Sequence, residues 1–203
     1  MDEPIAKKED FASKYSEAGI IGKTLIDNFY RNIDKLLINA DIKQALEVGC
    51  GHGYSTHYLA KSLGKNHIEA SEFDECMIPD AKTRNPGVLI SQESIYQLQR
   101  EENSFDLVLA LEVLEHLEDP NKALEELQRV TSRYCIVSVP REPLWRCLNM
   151  ARGKYLKDMG NTTGHINHWS KKKFIHLVRQ YFERIKVLTP LPWTIILAEH
   201  PKH

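Results

Sequence analysis

The sequence predicts an α/β fold, in which helices cover both faces of a doubly wound, mostly parallel sheet of seven strands. Five short apolar runs alternate with longer helical or loop segments, a pattern typical of parallel strands joined by crossover helices. Two more apolar runs close the chain around a Pro-Leu-Pro turn at 190–192, which indicates an antiparallel C-terminal hairpin strand at the sheet edge. A length of 203 residues and a hydrophobic content of 42% suit one full core. We therefore expect a single domain over residues 1–203.

The individual elements follow from local patterns. Between about 22 and 38, apolar residues recur every three to four positions, which predicts an amphipathic helix within an N-terminal helical lead-in, 1–40. Asp119-Pro120 predicts a later helix start, because the Asp side chain can accept backbone amides and Pro suits the first helical position. The residues of that helix that would face the sheet are Leu124, Leu127 and Val130. The seven predicted strands, in chain order, are QALEV (44–48), HIEAS (67–71), GVLIS (87–91), FDLVLAL (105–111), YCIVSV (134–139), ERIKVLT (183–189) and WTIILAEH (193–200).

Composition predicts a cytoplasmic protein without a transmembrane segment. No stretch approaches the roughly 20 apolar residues that a membrane-spanning helix requires. The N-terminal residues MDEPIAKKED are acidic and polar, whereas a signal peptide begins basic and then becomes apolar. The four cysteines form no CxxC pair, which favours a reducing compartment over a disulfide framework.

The segment LEVGCGHGYS, residues 46–55, places Gly49, Gly51 and Gly53 at alternate positions. A strand ending at Val48 and a helix starting near Tyr54 would put these glycines in the first strand-to-helix turn, where doubly wound sheets bind ligands. Glycine permits positive φ and lets a ligand approach the backbone, and amides at the start of the helix favour an anionic group. The carboxylate just before the turn, Glu47, could accept a hydrogen bond from an ammonium group.

Residues 47–53, EVGCGHG, resemble the ExGxGxG motif of class I S-adenosylmethionine-dependent methyltransferases, and the resemblance extends over about 40–200. It implies a Rossmann-like fold, S-adenosylmethionine as cofactor, and transfer of a methyl group to oxygen or nitrogen of a small-molecule or lipid-like acceptor. Glu72 follows Gly53 by 19 residues, where the family holds the ribose hydroxyls, and Glu93-Ser94 resembles the pair at the adenine. The cofactor-binding residues implied by the resemblance are Glu47, Gly49, Cys50, Gly51, Gly53, Glu72, Phe73, Glu93, Ser94 and Leu111.

In the reaction that the resemblance implies, the protein mainly positions a nucleophile in line with an activated methyl group. His116, in LEVLEHLEDP (111–120), and His165, in TGHINHWS (163–170), are the candidate catalytic residues, because imidazole suits general base work near neutral pH. The prediction includes no metal, but the first segment also resembles magnesium-using quinone O-methyltransferases and small-RNA 3′-terminal 2′-O-methyltransferases. That resemblance implies an alternative in which a divalent metal ion is bound by Glu112, Glu115, His116 and His165.

Residues 141–168 interrupt the family pattern where class I enzymes carry a substrate cap, which we call the cap. Leu144, Leu148, Ala151 and Tyr155 recur at helical spacing and predict an amphipathic helix there. Residues 1–140 carry 15 Lys/Arg and 24 Asp/Glu, whereas residues 141–186 carry 11 and three, a net charge of +8. One interpretation is an anionic acceptor near Arg146 and Arg152; the other is a set of solvated charges.

Other classes of function stay open at this point. A dinucleotide-dependent oxidoreductase would carry GxGxxG, but Tyr54 occupies the position of the third glycine. A protein that binds S-adenosylmethionine without transferring its methyl group would have the same glycine loop. A nucleic-acid partner is not expected, since it would need a broader basic surface than one cap.

Overall fold

The computed structural model describes residues 20–38 and 40–202, and within these ranges seven strands form one sheet. The strand order is β3-β2-β1-β4-β5-β7-β6. The strands, in chain order, are β1 Ala45–Val48, β2 Ile68–Glu72, β3 Leu89–Gln92, β4 Phe105–Leu111, β5 Thr131–Pro140, β6 Phe182–Leu188 and β7 Trp193–Pro201.

Strands β1 to β5 are mutually parallel, and the winding direction reverses between β1 and β4. The predicted doubly wound, mostly parallel sheet is therefore confirmed, as is the closing hairpin. Its second strand, β7, lies inside the sheet, antiparallel to both β5 and β6, so that β6 forms the edge and runs parallel to the first five strands. The reversal opens a crevice at the carboxyl ends of β1 and β4, which is where doubly wound sheets bind ligands.

Helices on the two faces of the sheet enclose separate cores. One face is covered by the first three helices, whose inward residues include Ile33, Leu59 and Ala81. The other face is covered by the fourth and sixth helices, with Leu127 and Phe174 buried against the sheet. The helices are α1 Ile20–Leu37, α2 Tyr54–Leu63, α3 Ile78–Arg84, α4 Pro120–Val130, α5 Leu144–Ala151 and α6 Lys171–Val178.

The predicted start of α4 is confirmed in detail. Asp119 accepts hydrogen bonds from the backbone amides of Asn121 and Lys122, at 3.1 and 3.0 Å, and Pro120 occupies the first turn. The side chains predicted to face the sheet, Leu124, Leu127 and Val130, are fully buried. A capped helix start thus fixes how the chain leaves the crevice after β4.

The two helices predicted for the N-terminal lead-in and for the cap are both present, but the cap helix is shorter than predicted. The predicted amphipathic helix is α1, but residues 1–19 of the predicted lead-in 1–40 lie outside the described residues. The predicted helical pattern of the cap is wrong at its end, because α5 stops at Ala151 and Tyr155 lies beyond it with φ of +55°. Gly153, at φ of +71°, turns the chain away from the helix axis.

A bilayer crossing requires a long and continuously apolar helix, and none of the helices in the described ranges has that character.

Candidate cofactor-binding site

A cavity of about 620 Å³ lies at the crevice between the two halves of the sheet. Its size falls in the range of roughly 300–1,000 Å³ that small-molecule sites occupy. Eight of the ten residues predicted to bind the cofactor line it: Gly49, Cys50, Gly51, Glu72, Phe73, Glu93, Ser94 and Leu111. Glu47 and Gly53 do not line it, although both belong to the motif that led to the prediction.

The three glycines of the loop all adopt positive φ, +76°, +54° and +77° in chain order, but they do so for different reasons. A Cβ added at Gly49 would meet Cγ2 of Val113 at 2.7 Å, and one at Gly53 would meet the Cα of Ala81 at 2.9 Å. A Cβ at Gly51 would project into open space, with only the sulfur of Met77 nearby, at 3.9 Å. Gly51 is therefore the position where a missing side chain leaves room for a ligand.

Gly53 instead permits close packing of the loop on α3. The amide of Asn85, a buried side chain, donates to the carbonyl oxygens of Gly53 at 2.8 Å and of Ala81 at 2.9 Å. His52 adds a contact of 2.9 Å between its Nδ1 and the carboxylate of Asp80. These contacts hold the loop against α3, which is the preorganisation that an anion- or cofactor-binding loop requires.

Glu72 holds the other side of the loop. One oxygen of its buried carboxylate accepts the Gly51 amide at 2.8 Å, and the other accepts the Asp74 amide at 2.8 Å. A carboxylate oxygen has two lone pairs, so each can accept one further hydrogen bond from a ligand. The Glu72 carboxylate lies on the cavity wall and offers two acceptor oxygens and no donor, which fits the two hydroxyl groups of a ribose.

Glu47 has a supporting position, in contrast to the prediction that it contacts an ammonium group. Its side chain is 1% exposed, and Oε2 accepts a hydrogen bond from Oγ1 of Thr56 in α2 at 2.5 Å. Burial raises the pKa of Glu47 to about 6, although hydrogen bonds from Ser55 and Thr56 offset part of this rise. Glu47 thus fixes the first turn of α2 from behind the loop.

This raised pKa predicts a pH-dependent effect of Glu47→Gln. An acid whose pKa is higher in the folded state binds its proton more tightly there, so its contribution to stability is lost as pH rises from about 4.5 to 6. Glutamine carries no charge at any pH, and we expect the variant to be more stable than wild type by about 1–2 kcal/mol at pH 8. The gain should vanish toward pH 4.5. Denaturant titrations at several pH values measure it, with exposed Glu101→Gln as control, and a pH-independent difference would contradict the assignment.

Glu93 is already engaged within the protein. Its carboxylate forms an ion pair of 2.9 Å with Arg100 and accepts the Gln99 amide at 3.2 Å. The sequence prediction missed Arg100, because the two residues meet through a loop whose path no local pattern encodes. Glu93 still lines the cavity beside Ser94, and its assignment to the adenine end stays a prediction.

Several lining residues were not predicted from the sequence. Tyr54 and Met77 begin or precede helices, and Thr162 and Thr163 belong to the cap. The usable signals were the predicted helix start at Tyr54 and the position of the cap where related folds cover the substrate. The other lining residues outside the predicted set are Val48, His52, Ser55, Asp74, Glu75, Ile95, Tyr96, Val113, Leu117 and Glu118. Val48 and His52 belong to the glycine motif, and Val113, Leu117 and Glu118 belong to the segment 111–120, but the sequence did not indicate that these particular side chains face the cavity.

Of the four residues in the alternative metal set, the structure brings three together. Ligand atoms of Glu115, His116 and His165 all lie within 4.8 Å of one another. Glu112 is instead held by Ser138 and Trp193, whose Oγ and Nε1 each donate to its carboxylate at 2.8 Å. The structure therefore does not bring Glu112, which has φ of +59°, into the group formed by the other three residues of the set.

The two candidate catalytic histidines differ in position. His116 lines the cavity, and its Nδ1 lies 2.9 Å from the carbonyl oxygen of Gly164. Because a carbonyl can only accept, Nδ1 carries the proton and Nε2 is the basic nitrogen of the neutral ring. His165 is buried behind His116, with ring centroids 4.8 Å apart, and does not line the cavity. His116 is thus the histidine that can reach a bound molecule.

The cavity wall is acidic, and the basic residues of the cap do not line it. Glu72, Asp74 and Glu118 are among its carboxylates, whereas no Lys or Arg of the described ranges lines the cavity. Arg152 is exposed and donates to Asn149 Oδ1 at 2.6 Å, within the cap itself. An acidic wall favours a cationic ligand such as a sulfonium or an ammonium. The structure does not support the interpretation that Arg146 and Arg152 line an anionic acceptor pocket.

Comparison with known proteins finds similarity to methyltransferases. The family described as "Methyltransferase domain" matches residues 46–137, which include the glycine loop and β4. Among curated proteins, a malonyl-[acyl-carrier protein] O-methyltransferase of Bacillus anthracis is 30% identical over 118 residues, covering 57% of this chain and 44% of the relative. A probable phthiotriol/phenolphthiotriol dimycocerosates methyltransferase 2 of Mycobacterium ulcerans is 34% identical over 90 residues, 43% of this chain and 35% of the relative. The chain thus spans less than half the length of these relatives.

Solved structures agree at the level of the fold. The magnesium protoporphyrin IX methyltransferase of Synechocystis PCC 6803, crystallised with bound SAH, superposes with a TM-score of 0.66. The match covers 94% of each chain at 16% sequence identity. The described sheet order, its reversal and its closing hairpin are therefore those of a methyltransferase fold.

Proposed function

We propose that the chain is a class I S-adenosylmethionine-dependent methyltransferase and that it transfers a methyl group to an oxygen atom of a lipid-like acceptor. The observation that carries the proposal is a cavity in which Gly51 and Glu72 offer a cofactor cradle and His116 lines the wall. When bound, S-adenosylmethionine supplies a methyl group activated by the adjacent sulfonium.

The residues of the cavity fit this cofactor. The two oxygens of Glu72 suit the ribose hydroxyls, and the open space at Gly51 lets the ligand lie directly on the backbone. The acidic wall stabilises a cation, since opposite charges interact strongly in a partly buried site. Glu47 contributes from outside the cavity, because its hydrogen bond from Thr56 holds the first turn of α2 next to the loop.

His116 would act as the general base. Its Nδ1 proton is held by Gly164, so Nε2 can accept the proton that a hydroxyl acceptor loses as its oxygen bonds to the methyl carbon. The carbonyl of Gly164 also fixes the orientation of the ring, which removes a rotational freedom before the reaction. His165 would be a positioning residue, packed edge-on against His116 at a centroid distance of 4.8 Å.

A lipid-like acceptor is supported by two observations. Apolar side chains share the wall with His116, including Leu111, Val113 and Leu117. The two curated relatives named above act, by their names, on a malonyl-[acyl-carrier protein] and on dimycocerosates. An apolar wall next to the base favours acceptors that bring a long hydrocarbon chain.

The cofactor part of the proposal predicts the behaviour of Glu72→Gln. The amide group replaces one acceptor oxygen by a donor that must face either the Gly51 or the Asp74 amide, which leaves a buried donor unsatisfied. We expect S-adenosylmethionine affinity to fall about 10- to 100-fold in titration calorimetry. Glu69→Gln, on the same strand but partly exposed, is the matched control. Equal affinity in wild type and Glu72→Gln would rule out the assignment of the ribose site.

The transfer itself is tested with a methyl-labelled cofactor and a panel of acceptors. The panel pairs long-chain hydroxyl or carboxyl compounds with their short-chain analogues and adds amines of both lengths. The proposal expects label on oxygen and a higher kcat/KM for the long-chain members. Cofactor binding without transfer to any acceptor would instead favour a non-catalytic S-adenosylmethionine-binding protein, and label on nitrogen alone would overturn the choice of atom.

A second candidate is metal-assisted transfer to an RNA 2′-hydroxyl, favoured by the cluster of Glu115, His116 and His165. Two imidazoles and a carboxylate suit Mn²⁺, Fe²⁺ or Zn²⁺ better than Mg²⁺. Ligands of an octahedral ion at about 2.1 Å stand about 3–4.2 Å apart, so a small side-chain movement would complete the site. A metal ion there would lower the pKa of a bound hydroxyl. Turnover on an RNA oligonucleotide that EDTA abolishes and Mn²⁺ restores would support this candidate, and full activity on lipid acceptors in EDTA would exclude it.

A further inference from the structure

Residues 150–159 of the cap form an ordered turn with apolar side chains on its outside. Met150, Leu156 and Met159 are exposed, the last two by 61% and 71%. The turn is closed by hydrogen bonds from the backbone amides of Gly160 and Asp158 to the carbonyl of Tyr155, at 2.8 and 3.1 Å. Tyr155 and Met159 both adopt positive φ, a conformation that bulky residues adopt only when their surroundings impose it. The turn thus holds large apolar side chains out toward solvent.

Basic residues surround these apolar side chains. Arg152, Lys154 and Lys157 lie within the same ten residues, and all are exposed. The wider segment 141–186 carries a net charge of +8, whereas residues 1–140 carry −9. A negatively charged surface would therefore repel most of the molecule and attract this part. Apolar side chains amid lysine and arginine are the combination that binds at the interface of anionic membranes.

Hydrogen bonds within the cap link the turn to residues that line the cavity. Asn149 donates to the carbonyl of Gly160 at 2.9 Å, and Trp145 Nε1 donates to Thr162 Oγ1 at 2.8 Å. Thr162 and Thr163 line the cavity, three and four residues after Met159. Ile166, a further exposed apolar residue of the cap, donates its amide to the carbonyl of Glu115, next to His116. A molecule at the outer face of the turn would lie close to the cavity mouth.

We propose that the turn at 150–159 docks the protein on an anionic lipid bilayer. Leu156 and Met159 insert among the acyl chains, while Lys154 and Lys157 contact the headgroup phosphates. The cavity then opens toward the layer from which a lipid-like acceptor is taken. This last step rests on the proposed function, whereas docking itself requires neither cofactor nor turnover.

Sedimentation of the full chain with lipid vesicles tests the proposal. We expect binding to vesicles of phosphatidylcholine with 30% phosphatidylglycerol, weak binding to phosphatidylcholine alone, and loss of binding at high salt. The double variant Leu156→Asp/Met159→Asp should bind at least about tenfold more weakly. Lys154→Gln/Lys157→Gln should bind about 10- to 30-fold more weakly, since each charge near an anionic surface contributes about fivefold. Leu89→Asp, an exposed leucine of β3 at the far edge of the sheet, should bind like wild type.

Two results would overturn the proposal: no binding to the anionic vesicles, or binding that the Leu156→Asp/Met159→Asp variant retains. A turn that instead contacts an acidic protein would give the first of these results. S-adenosylmethionine affinity, measured in parallel, should be unchanged in every cap variant, which shows that the variants fold. Failure of docking with intact transfer to a dispersed acceptor would overturn this inference alone, whereas failure of the cofactor assays with intact docking would overturn the proposed function.

Discussion

His116→Asn is expected to reduce kcat by about 10²- to 10⁴-fold while changing S-adenosylmethionine affinity by no more than a few fold. Asparagine can place its amide nitrogen near the position of Nδ1 and keep the hydrogen bond to Gly164, which is 2.9 Å long in the wild type. It has no nitrogen that accepts a proton, so the step assigned to Nε2 is lost. The variant therefore separates a chemical role from a packing role at the same position.

The pH profile of kcat provides a readout that a structural role would not change. In the wild type, kcat should fall at acid pH as His116 becomes protonated and can no longer act as a base. His116→Asn should lose this dependence together with its rate. His168→Asn is the control, because His168 lies in the cap with Nε2 on Asn161 and does not line the cavity. A rate loss in the control equal to that of His116→Asn, or an unchanged pH profile in the latter, would contradict the assignment.

The sheet could be predicted from the sequence because each strand has a local apolar pattern and because parallel connections require crossovers. The position of β7 could not be predicted in the same way. The sequence of the hairpin is compatible with either of its strands pairing with β5. Which strand pairs depends on long-range packing, and in the structure it is the second strand, β7. The end of α5 was missed for a related reason, since spacing alone extends the helix to Tyr155 while Gly153 ends it earlier.

Within the site, motif reasoning identified the residues better than their roles. Glu47 and Gly53 belong to the same motif as Gly51, yet the first contacts α2 and the second contacts α3. These roles depend on distances between helices, which residue type and spacing do not encode. The ion pair between Glu93 and Arg100 is likewise a tertiary contact that local sequence patterns do not predict.

The different roles of the loop glycines can be measured directly. Gly53→Ala is expected to lower the free energy of unfolding by about 2–5 kcal/mol, about 1–2 from the positive φ and the rest from overpacking against Ala81 and Asn85. Gly51→Ala should lower it by only about 1–2 kcal/mol, because its Cβ meets no atom closer than 3.9 Å. Gly153→Ala measures the φ contribution alone, since Gly153 has φ of +71° and open space around its Cβ.

Cofactor affinity should rank the two loop variants in the opposite order. The Cβ of Gly51→Ala occupies the space in which the ligand would contact the backbone, so affinity should fall about 10- to 100-fold although the fold is nearly as stable as that of Gly153→Ala. Gly53→Ala, measured well below its melting temperature, should bind within a few fold of wild type because its Cβ points at α3 rather than into the cavity. Denaturant unfolding and titration calorimetry on the same preparations measure both quantities. Unchanged affinity in Gly51→Ala would mean that the cofactor does not lie against the backbone at Gly51. Equal losses of stability in Gly51→Ala and Gly53→Ala would instead contradict the packing role assigned to Gly53.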